Sequence, residues 1–344
     1  MAYQLFVDID DFQKYVGGAA NNSIELASLE PYMKVVAEEH IIPLLGRELY
    51  NQLVGFVESD EGTTNQKLLI SFAAAPLAYL TLHDYIDVGT VQLSQGGMMR
   101  METESAKSAY KYQEANYRER MKHNGYQSLE VLQVWLSANG DHTDFNLWTS
   151  AGKKLARGLV INTAGDLARV YSKQVSRYTF EMLRALILDI ELFALVPSIG
   201  RPMYDDLKDK ILNDNLTDKL NEMLEIVQRV VGNFVIEEGV RRHWVQIDGP
   251  AVVQKVQRSI DAREQRIPAP EGHAASLKIN QAEQFANRWL SWLSVWLDDN
   301  IDHADLALYK TWKQEQEAAE QTASQAEETD YYTSNESTGG VVLL

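Results

Sequence analysis

The sequence predicts a mainly α-helical protein built from two tandem helical bundles, each with a short β-hairpin, followed by an acidic C-terminal tail. Three observations favour this fold class: an internal repeat, apolar residues three to four positions apart in both copies, and a final stretch without such spacing. The 344 residues are enough for two domains of ordinary size. We expect domains at residues 1–150 and 151–312, with the tail at residues 313–344.

The internal repeat divides the chain. Residues 42–53 return as residues 196–207 with proline, glycine, arginine, tyrosine and leucine at matching positions. This alignment, which places Gly46 on Gly200, is called the corner register below. It indicates that a segment of the first half was reproduced in the second.

A second pair of segments matches later in each half. Residues 129–148 match residues 290–309, so that Trp135 falls on Trp296. This alignment is called the closing register below. Its matched positions lie farther apart in the chain than those of the corner register, so the second copy contains an insertion between the two blocks. We expect the insertion in a surface loop near residues 268–272.

The first copy is predicted to start with a helix that Pro31 opens. The buried face of this helix is Met33, Val36, Ala37, His40 and Ile41. Pro43 and Gly46 then break it, and a second helix is expected over residues 47–57. The inner face of the second helix is Leu49, Tyr50, Leu53 and Val54. His40 is interpreted as a core histidine.

The rest of the first copy contains a loop, a long helix, a hairpin and two further helices. The long apolar helix is predicted over residues 66–87, and its small residues Ala73, Ala74 and Ala75 would let neighbouring helices approach closely. The hairpin is predicted over residues 89–104 around Gly96 and Gly97. The last two helices are expected over residues 105–123 and 128–138.

The second copy repeats this plan. Helices are predicted over residues 171–195, 203–212, 217–239 and 280–298, with a hairpin over residues 244–255. The last helix of each copy, residues 128–138 and 280–298, is called the closing helix below. Trp289, Trp292 and Trp296 lie three to four positions apart on the closing helix of the second copy. This spacing predicts that all three pack into the core.

The tail has a different composition. From residue 314 onward it consists mostly of Gln, Glu, Ala, Ser and Thr without periodicity, which predicts a disordered segment. Its last residues are apolar: Val341, Val342, Leu343 and Leu344. Exposed residues of this kind favour aggregation unless they are covered, so we expect them to dock on a partner or a neighbouring subunit. The alternative is a frayed terminus without a role.

Charge and composition restrict the function classes. A net charge of −17 disfavours tight binding of duplex DNA, because such binding depends on Lys and Arg at phosphates. The same repulsion suits a channel through which DNA slides without being held. The absence of cysteine excludes disulfides and thiol chemistry. No apolar run approaches the roughly 20 residues of a membrane span and no signal peptide is evident, so we expect a soluble cytoplasmic protein without a membrane partner.

One repeated group of residues carries potential chemistry. Asp141-His142-x-Asp144 is matched by Asp302-His303-x-Asp305, and both triplets could bind a divalent metal. Each lies between two predicted helices, where Asn and Asp side chains commonly cap helix ends, and we favour that interpretation. The sequence contains no phosphate-binding loop, dinucleotide motif or zinc-protease motif. We therefore expect no catalytic, cofactor or metal residues, with a metal-dependent enzyme as the alternative.

The repeated motif also supplies structural and interface candidates. Six of its residues are predicted to form an interhelical corner in each copy: Pro43, Gly46, Tyr50, Pro197, Gly200 and Tyr204. Just beyond each glycine, Arg47 and Arg201 are expected to bridge to an acidic neighbour, inside the subunit or across an interface. Together with residues 341–344, these two arginines are the candidate interface residues.

Residues 41–53, followed by a long apolar helix and by Leu-Ser-Gln-Gly-Gly-Met-Met-Arg at residues 93–100, resemble a domain family of unknown function encoded by tailed phages and prophages. Through the Pro-Leu-Leu-Gly…Leu-Tyr corner, that family is similar to the head-to-tail connector adaptors that form a ring beneath the portal. The resemblance covers residues 5–150. The second copy departs from the motif at Ser198, Pro202 and Met203.

The resemblance implies two connector-like helical bundles and a homo-oligomeric ring of about twelve copies. It implies contact with portal and tail or neck proteins, passage of double-stranded DNA through the ring, and no enzymatic activity or cofactor. The expected location is the neck of the virion, after assembly in the cytoplasm of a host bacterium. A host-encoded protein-binding module unrelated to virions is a further alternative.

Overall fold

The computed structural model describes residues 5–17, 24–89, 91–94, 97–100, 111–171, 174–242, 245–248, 251–254 and 272–336. These residues are mainly α-helical, which confirms the predicted class.

Within the described ranges, the first half contains seven α-helices, a π-helical turn, a short 3₁₀ turn (Thr143–Phe145) and a two-stranded hairpin. The helices are α1 (Ile9–Val16), α2 (Leu26–Val36), α3 (Ile42–Leu45), α4 (Arg47–Ser59), α5 (Thr64–Gly89), α6 (Lys111–Asn139) and α7 (Ser150–Arg157). The π-helical turn, Ala37–Ile41, joins α2 to α3. Strands β1 (Val91–Ser94) and β2 (Gly97–Arg100) pair antiparallel, with Val91 opposite Arg100.

The second half contains helices, a π-helical turn and strands in a similar order. The helices are α8 (Ala164–Tyr171), α9 (Arg177–Ile190), α10 (Val196–Ile199), α11 (Arg201–Leu212), α12 (Asp218–Arg241), α13 (Gly272–Asp299) and α14 (Ala307–Glu336). The π-helical turn, Glu191–Leu195, joins α9 to α10. Strand β3 (Gln174–Val175) runs parallel to β5 (Ala251–Gln254), and β5 pairs antiparallel with β4 (Val245–Asp248).

Each half has its own hydrophobic core, centred on a long helix pair. In the first half α5 packs along α6, and in the second half α12 packs along α13. The predicted inner face of α4 is confirmed, because its buried residues are Leu49, Tyr50, Leu53 and Val54. The apolar periodicity of the sequence therefore reports which helix faces are turned inward.

One stretch of α5, Thr64–Ile86, is long and apolar enough to cross a membrane by length and composition, so the prediction that no such run exists was wrong. Half of the stretch is buried inside the fold. Leu69, Ala73 and Leu77 are fully enclosed in the first core. The central position of α5 accounts for its apolar composition, because a core helix contacts neighbours on several sides.

Two predictions about the first half were wrong. Pro31 lies inside α2 and does not open it, since the helix already begins at Leu26. The missing N–H costs one backbone bond near the start of a helix that is held in place by its buried residues, Leu29 and Met33. Residues 111–139 form one helix, α6, without the break predicted between residues 123 and 128.

The glycine at the predicted break in α6 serves helix packing instead. A Cβ added to Gly125 would lie 2.6 Å from Cδ2 of Leu80 on α5. Glycine therefore permits the close approach of α5 and α6 at this point, and the helical hydrogen bonds continue through it. A glycine inside a helical pattern can mark either a break in the helix or a close approach of another helix, and only the neighbouring helix distinguishes the two cases.

The helix predicted over residues 171–195 is divided in the structure. It comprises the end of α8, strand β3, α9 and the π-helical turn. The hydroxyl of Ser176 accepts the backbone N–H of Thr179 at 3.1 Å and so starts α9 as a new helix. Serine has this effect because its short side chain satisfies an N–H that lacks a partner in the first turn.

Trp292 does not pack into the core, contrary to prediction, and its side chain is 53% exposed. The buried residues of the closing helix include Ala286, Leu293 and Leu297, and Trp289 and Trp296 flank them as partly buried residues. Trp292 lies on the outer face because it precedes Leu293 by one position, about 100° around the helix.

The predicted extended tail was wrong for residues 313–336, because α14 continues to Glu336. Tyr309 and Trp312 anchor the start of α14 against the second core, whereas residues 314–322 are exposed. Ala, Gln, Glu and Lys have high intrinsic helix propensity, so a helix nucleated at the anchored turn continues without an apolar face. Residues 341–344 lie outside the described residues, and their docking stays a prediction.

Candidate functional site

The repeated corner of each half is built on a glycine with a positive φ. Gly46 has φ of 87° and ψ of 148°, and Gly200 has φ of 79° and ψ of 148°. Side chains rarely tolerate this backbone region, so the predicted special conformation of both glycines is confirmed. Each glycine ends one short helix and begins the next.

We predicted that the two prolines of the corner end the helices before them, and this prediction was wrong. Pro43 and Pro197 instead lie in the first turn of the short helices α3 and α10, directly after the π-helical turns. In the first half, the N–H of Ile42 donates to the carbonyl of Ala37, five residues back. The wider turn accommodates the proline that follows, whose ring would clash with the carbonyl four residues earlier in a regular α-helix.

Side chains from the end of each half cover the corner glycines. A Cβ on Gly46 would lie 2.6 Å from Cγ2 of Thr149, and a Cβ on Gly200 would lie 2.5 Å from the indole ring of Trp312. In the first half, Nε1 of Trp148 also donates to the carbonyl of Leu44 at 2.9 Å. The space over each glycine is therefore filled by the protein's own side chains.

The corner tyrosines are buried but have different surroundings. Tyr50 is fully buried, and Tyr204 donates its hydroxyl to the carboxylate of Glu191 at 2.9 Å. Glu191 is fully buried and also accepts from Nζ of Lys208 at 2.5 Å and from the N–H of Val160 at 2.6 Å. Burial raises the pKa of Tyr204, with the negative charge of Glu191 acting in the same direction.

The Glu191–Lys208 ion pair was not predicted from the sequence. In the corner register its counterparts are Ala37 and Val54, both buried in the first core. Burial lowers the pKa of Lys208, and the adjacent carboxylate opposes that shift. The signal in the sequence was the replacement of two apolar positions by opposite charges in the second copy.

Arg47 and Arg201 each bridge to an acidic neighbour within the chain. Arg47 donates to both carboxylate oxygens of Glu38, with 2.7 Å between Nη1 and Oε1. Arg201 donates from Nε to Oδ2 of Asp205 at 2.9 Å, on its own helix. The second half has Leu192 at the position of Glu38, which explains the change of partner. A role for either arginine at an interface stays a prediction.

The histidine of each Asp-His-x-Asp triplet caps a short helical turn. Nδ1 of His142 accepts the N–H of Asp144 at 3.2 Å, and Nδ1 of His303 accepts the N–H of Asp305 at 3.3 Å. Capping at the triplets is therefore confirmed, but an imidazole performs it rather than Asn or Asp. The neutral imidazole can do so because one ring nitrogen is an acceptor.

The last aspartate of each triplet ties two elements together. Asp144 accepts from the hydroxyl of Thr63 at 2.9 Å and from the amide of Asn65 at 3.1 Å. Asp305 accepts from the hydroxyl of Thr217 at 2.6 Å. These bonds join the turn after the closing helix to the start of α5 or α12.

The first aspartate of each triplet forms ion pairs with lysine or arginine side chains of the same chain. Asp141 accepts from Lys153 at 2.5 Å and from Arg157 at 2.7 Å, and the hydrogen bond to Lys153 lowers the pKa of Asp141. Asp302 pairs with Lys310 at 2.7 Å, and this hydrogen bond lowers the pKa of Asp302. In the part of the chain that the structure describes, no group of three or more His, Cys, Asp or Glu could hold a metal ion.

A cleft of about 520 Å³ lies between α6 of the first half and the starts of α8 and α9 in the second. On its walls, the rings of Tyr126 and Tyr178 meet edge to face at 5.0 Å. Nζ of Lys122 lies 3.5 Å from the centroid of the Tyr178 ring. Glu130 accepts the N–H of Gly165 at 2.8 Å. His40 packs behind Tyr126 at 5.7 Å, and burial lowers the pKa of His40.

Exposed apolar side chains recur on the closing helix of each half. In the closing register, Val131 and Val134 on α6 correspond to Trp292 and Val295 on α13, and each is about half exposed. A separate exposed apolar patch, Leu188, Leu192 and Phe193, is confined to the second half. Phe193 is 81% exposed. Sequence reasoning missed both surfaces, because an apolar residue beside a core face looks like part of that face.

Comparison with known proteins identifies a family without a known function. A family model described as a family of unknown function, DUF6712, matches residues 41–157 and 195–338, which together are more than half of the chain. The first residues of the two matches, Ile41 and Leu195, are equivalent positions in the corner register. No curated protein and no solved structure matches the chain. The chain belongs to the DUF6712 family of unknown function.

Proposed function

We propose that this protein is a structural component of a tailed-phage particle, a head-to-tail connector that joins the portal to the tail. One observation carries the proposal: the glycines of the corner and the histidines of the triplets, which recur in both halves, are used for packing and capping within the chain. The glycines of the corner are covered by Thr149 and Trp312, and the recurring histidines cap helical turns. A scaffold needs a retained shape, whereas an enzyme needs reactive groups that are accessible to substrate.

We infer further that an ancestral helical module was copied in tandem. The π-helical turns Ala37–Ile41 and Glu191–Leu195 and the strand pairs of the two hairpins occur at equivalent positions in the corner register. Two unrelated segments have no reason to contain so uncommon a turn before equivalent prolines. The two family matches, which begin at equivalent positions, support this inference.

The charge of the chain supports a role beside DNA. A surface with a net charge of −17 repels phosphates, so DNA would pass through a ring of about twelve such subunits without being held. Helix α14 projects exposed polar residues beyond its anchored start. The apolar residues 341–344 follow this helix in the chain and would dock on the portal or a neighbouring neck protein.

The test combines the purified full chain with a tailed-phage portal protein from the same genome, if its gene neighbours encode one, and examines the mixture by negative-stain electron microscopy. We expect rings of added density on the portal. Stable monomers, with and without the portal, would overturn the proposal. A matched chain lacking residues 339–344 tests the tail separately, because unchanged assembly would exclude a docking role. A gene neighbourhood without any virion genes would favour the host-encoded binding module instead.

A further inference from the structure

We propose that copies of this protein associate head to tail, with the outer face of α13 of one copy against α1 and the start of α2 of the next. The contact would repeat between copies the junction that joins the two halves within one chain. This inference rests on the proposed function, because it names the surfaces through which subunits of the ring meet.

The junction within the chain supplies the pattern. On the first half it uses α6, through Tyr126 and Glu130. On the second half it uses the starts of α8 and α9, where Gly165 donates to Glu130 and Tyr178 packs on Tyr126. The two halves therefore contribute different surfaces, as in any head-to-tail contact.

Each half also contains a counterpart of the surface that the other half contributes to the junction. In the closing register, α13 is the counterpart of α6. In the corner register, α1 and α2 are the counterparts of α8 and α9. Exposed apolar side chains lie on or beside these counterpart surfaces: Trp292 on α13 is 53% exposed, and Val7, which precedes α1 and whose own counterpart Ile161 is buried, is 72% exposed. Trp292 is at the position of Val131, which lines the cleft of the existing junction.

Charge on the two counterpart surfaces is complementary. Gln127, which lines the existing cleft, has the exposed Arg288 as its counterpart on α13. Ala164 and Gly165, on the other wall, have Asp10 and Asp11 as counterparts in the first turn of α1. A repeated junction would therefore bring a cation on one copy to the carboxylate of Asp10 on the next, beside Asp11, which pairs with Lys14 of its own chain at 3.1 Å.

Two further exchanges change the charge of the α13 surface, and the first of them favours the contact. Ser291 stands at the position of Glu130, so no carboxylate of α13 faces Asp10 and Asp11 there. Glu283 stands at the position of Lys122 and lies 3.7 Å from Arg241 of its own chain, which also pairs with Glu237 and Glu238. The change from Glu130 to Ser291 therefore removes one carboxylate from the part of α13 that would face the acidic start of α1.

Cross-linking tests the geometry directly, because the chain contains no cysteine. Glu130 also accepts the N–H of Ala164, at 3.3 Å, so the counterparts of this pair are Ser291 and Asp10. We would mix the single variants Asp10→Cys and Ser291→Cys and treat them with a short bis-maleimide. The expected result is a covalent dimer in the mixture but not in either variant alone.

The matched control lies within the existing junction. A Glu130→Cys, Ala164→Cys double variant should be linked within one chain, giving a monomer with altered mobility. Dimers from Asp10→Cys alone or Ser291→Cys alone would indicate a face-to-face contact and overturn the proposal. The absence of dimers from the mixture, when the internal control is linked, would overturn it equally.

A charge exchange tests the chemistry of the contact. Arg288→Asp should weaken association about tenfold in analytical ultracentrifugation, and adding Asp10→Arg should restore it. Phe193→Glu is the control, because this exposed side chain lies outside the proposed contact. Equal effects of Arg288→Asp and Phe193→Glu, or no restoration by the second change, would exclude the pairing.

The outcomes for the contact and for the function are separable. Rings on the portal without cross-links between positions 10 and 291 would retain the connector function and exclude this contact. Cross-linked oligomers that do not bind the portal would support the contact and exclude the connector function.

Discussion

Trp312 lies over Gly200 so closely that a Cβ on the glycine would be 2.5 Å from the indole ring. The positive φ of Gly200 adds backbone strain to any such substitution. The corner therefore depends on glycine for two independent reasons, a close approach and a backbone conformation. Thr149 imposes the same close approach on Gly46 in the first half.

We expect Gly200→Ala and Gly46→Ala each to lower the free energy of unfolding by about 2–4 kcal/mol, from backbone strain and overpacking together. Gly55→Ala is the matched control, because Gly55 lies inside α4 with nothing within 4 Å of an added Cβ. That change should instead stabilise by about 0.5–1 kcal/mol. Chemical denaturation measures all three, and a corner variant as stable as the native protein would contradict the packing argument.

The buried Glu191–Lys208 pair can be replaced by the residues that the first half uses. Glu191→Ala alone should cost about 3–5 kcal/mol, because it leaves the ammonium of Lys208 buried without its partner. The double change Glu191→Ala, Lys208→Val removes the unpaired charge and should recover part of that loss, because the N–H of Val160 and the hydroxyl of Tyr204 still lack their acceptor. A double-mutant cycle of unfolding free energies measures the coupling, and additive effects of the two changes would refute it.

Alkaline pH should destabilise the fold through Tyr126, which is partly buried, and Tyr309, which is buried. Burial raises the pKa of Tyr126 and of Tyr309 to about 12, whereas an unfolded tyrosine titrates near pH 10. The folded state favours the neutral form, so their contribution is complete below about pH 10 and is lost as the pH rises toward about 12.

Unfolding free energies measured at increasing alkaline pH check this expectation. Tyr309→Phe should reduce the alkaline loss, although it also removes the hydrogen bond to Asp298 at neutral pH. Identical alkaline slopes for this variant and the native protein would show that Tyr309 does not contribute.

Divalent metal ions should not alter the thermal stability. Asp141 is paired with Lys153 and Arg157, and Asp144 accepts from Thr63 and Asn65, so neither carboxylate is available without breaking these contacts. A bound ion at a hundred times its Kd would add about 2.7 kcal/mol to the unfolding free energy. Calorimetric scans with a chelator and with added Mg²⁺, Mn²⁺ or Zn²⁺ provide the measurement. A concentration-dependent rise in Tm would restore the metal-enzyme alternative.

The spacing of residues in the sequence correctly predicted those features that depend on the local sequence alone. The inner face of α4 follows from apolar residues three to four apart, and the positive φ of Gly46 follows from a glycine between two helical patterns. The ends of helices were harder to predict from the sequence. The glycine in α6 and the proline in α2 resemble helix breakers, yet the packing of Leu80 against Gly125 and the burial of Leu29 and Met33 in the core keep both helices intact.

By itself, the sequence determined that the protein is mainly helical and that proline, glycine and tyrosine recur in a common corner, because these properties arise from spacing and backbone preference. Only the tertiary structure decided what each recurring side chain contacts. His142 and His303 cap helical turns, Glu191 became a buried partner of Lys208, and Trp292 faces outward. The physical reason is that burial and pairing depend on residues far away in the chain, which no local pattern reports.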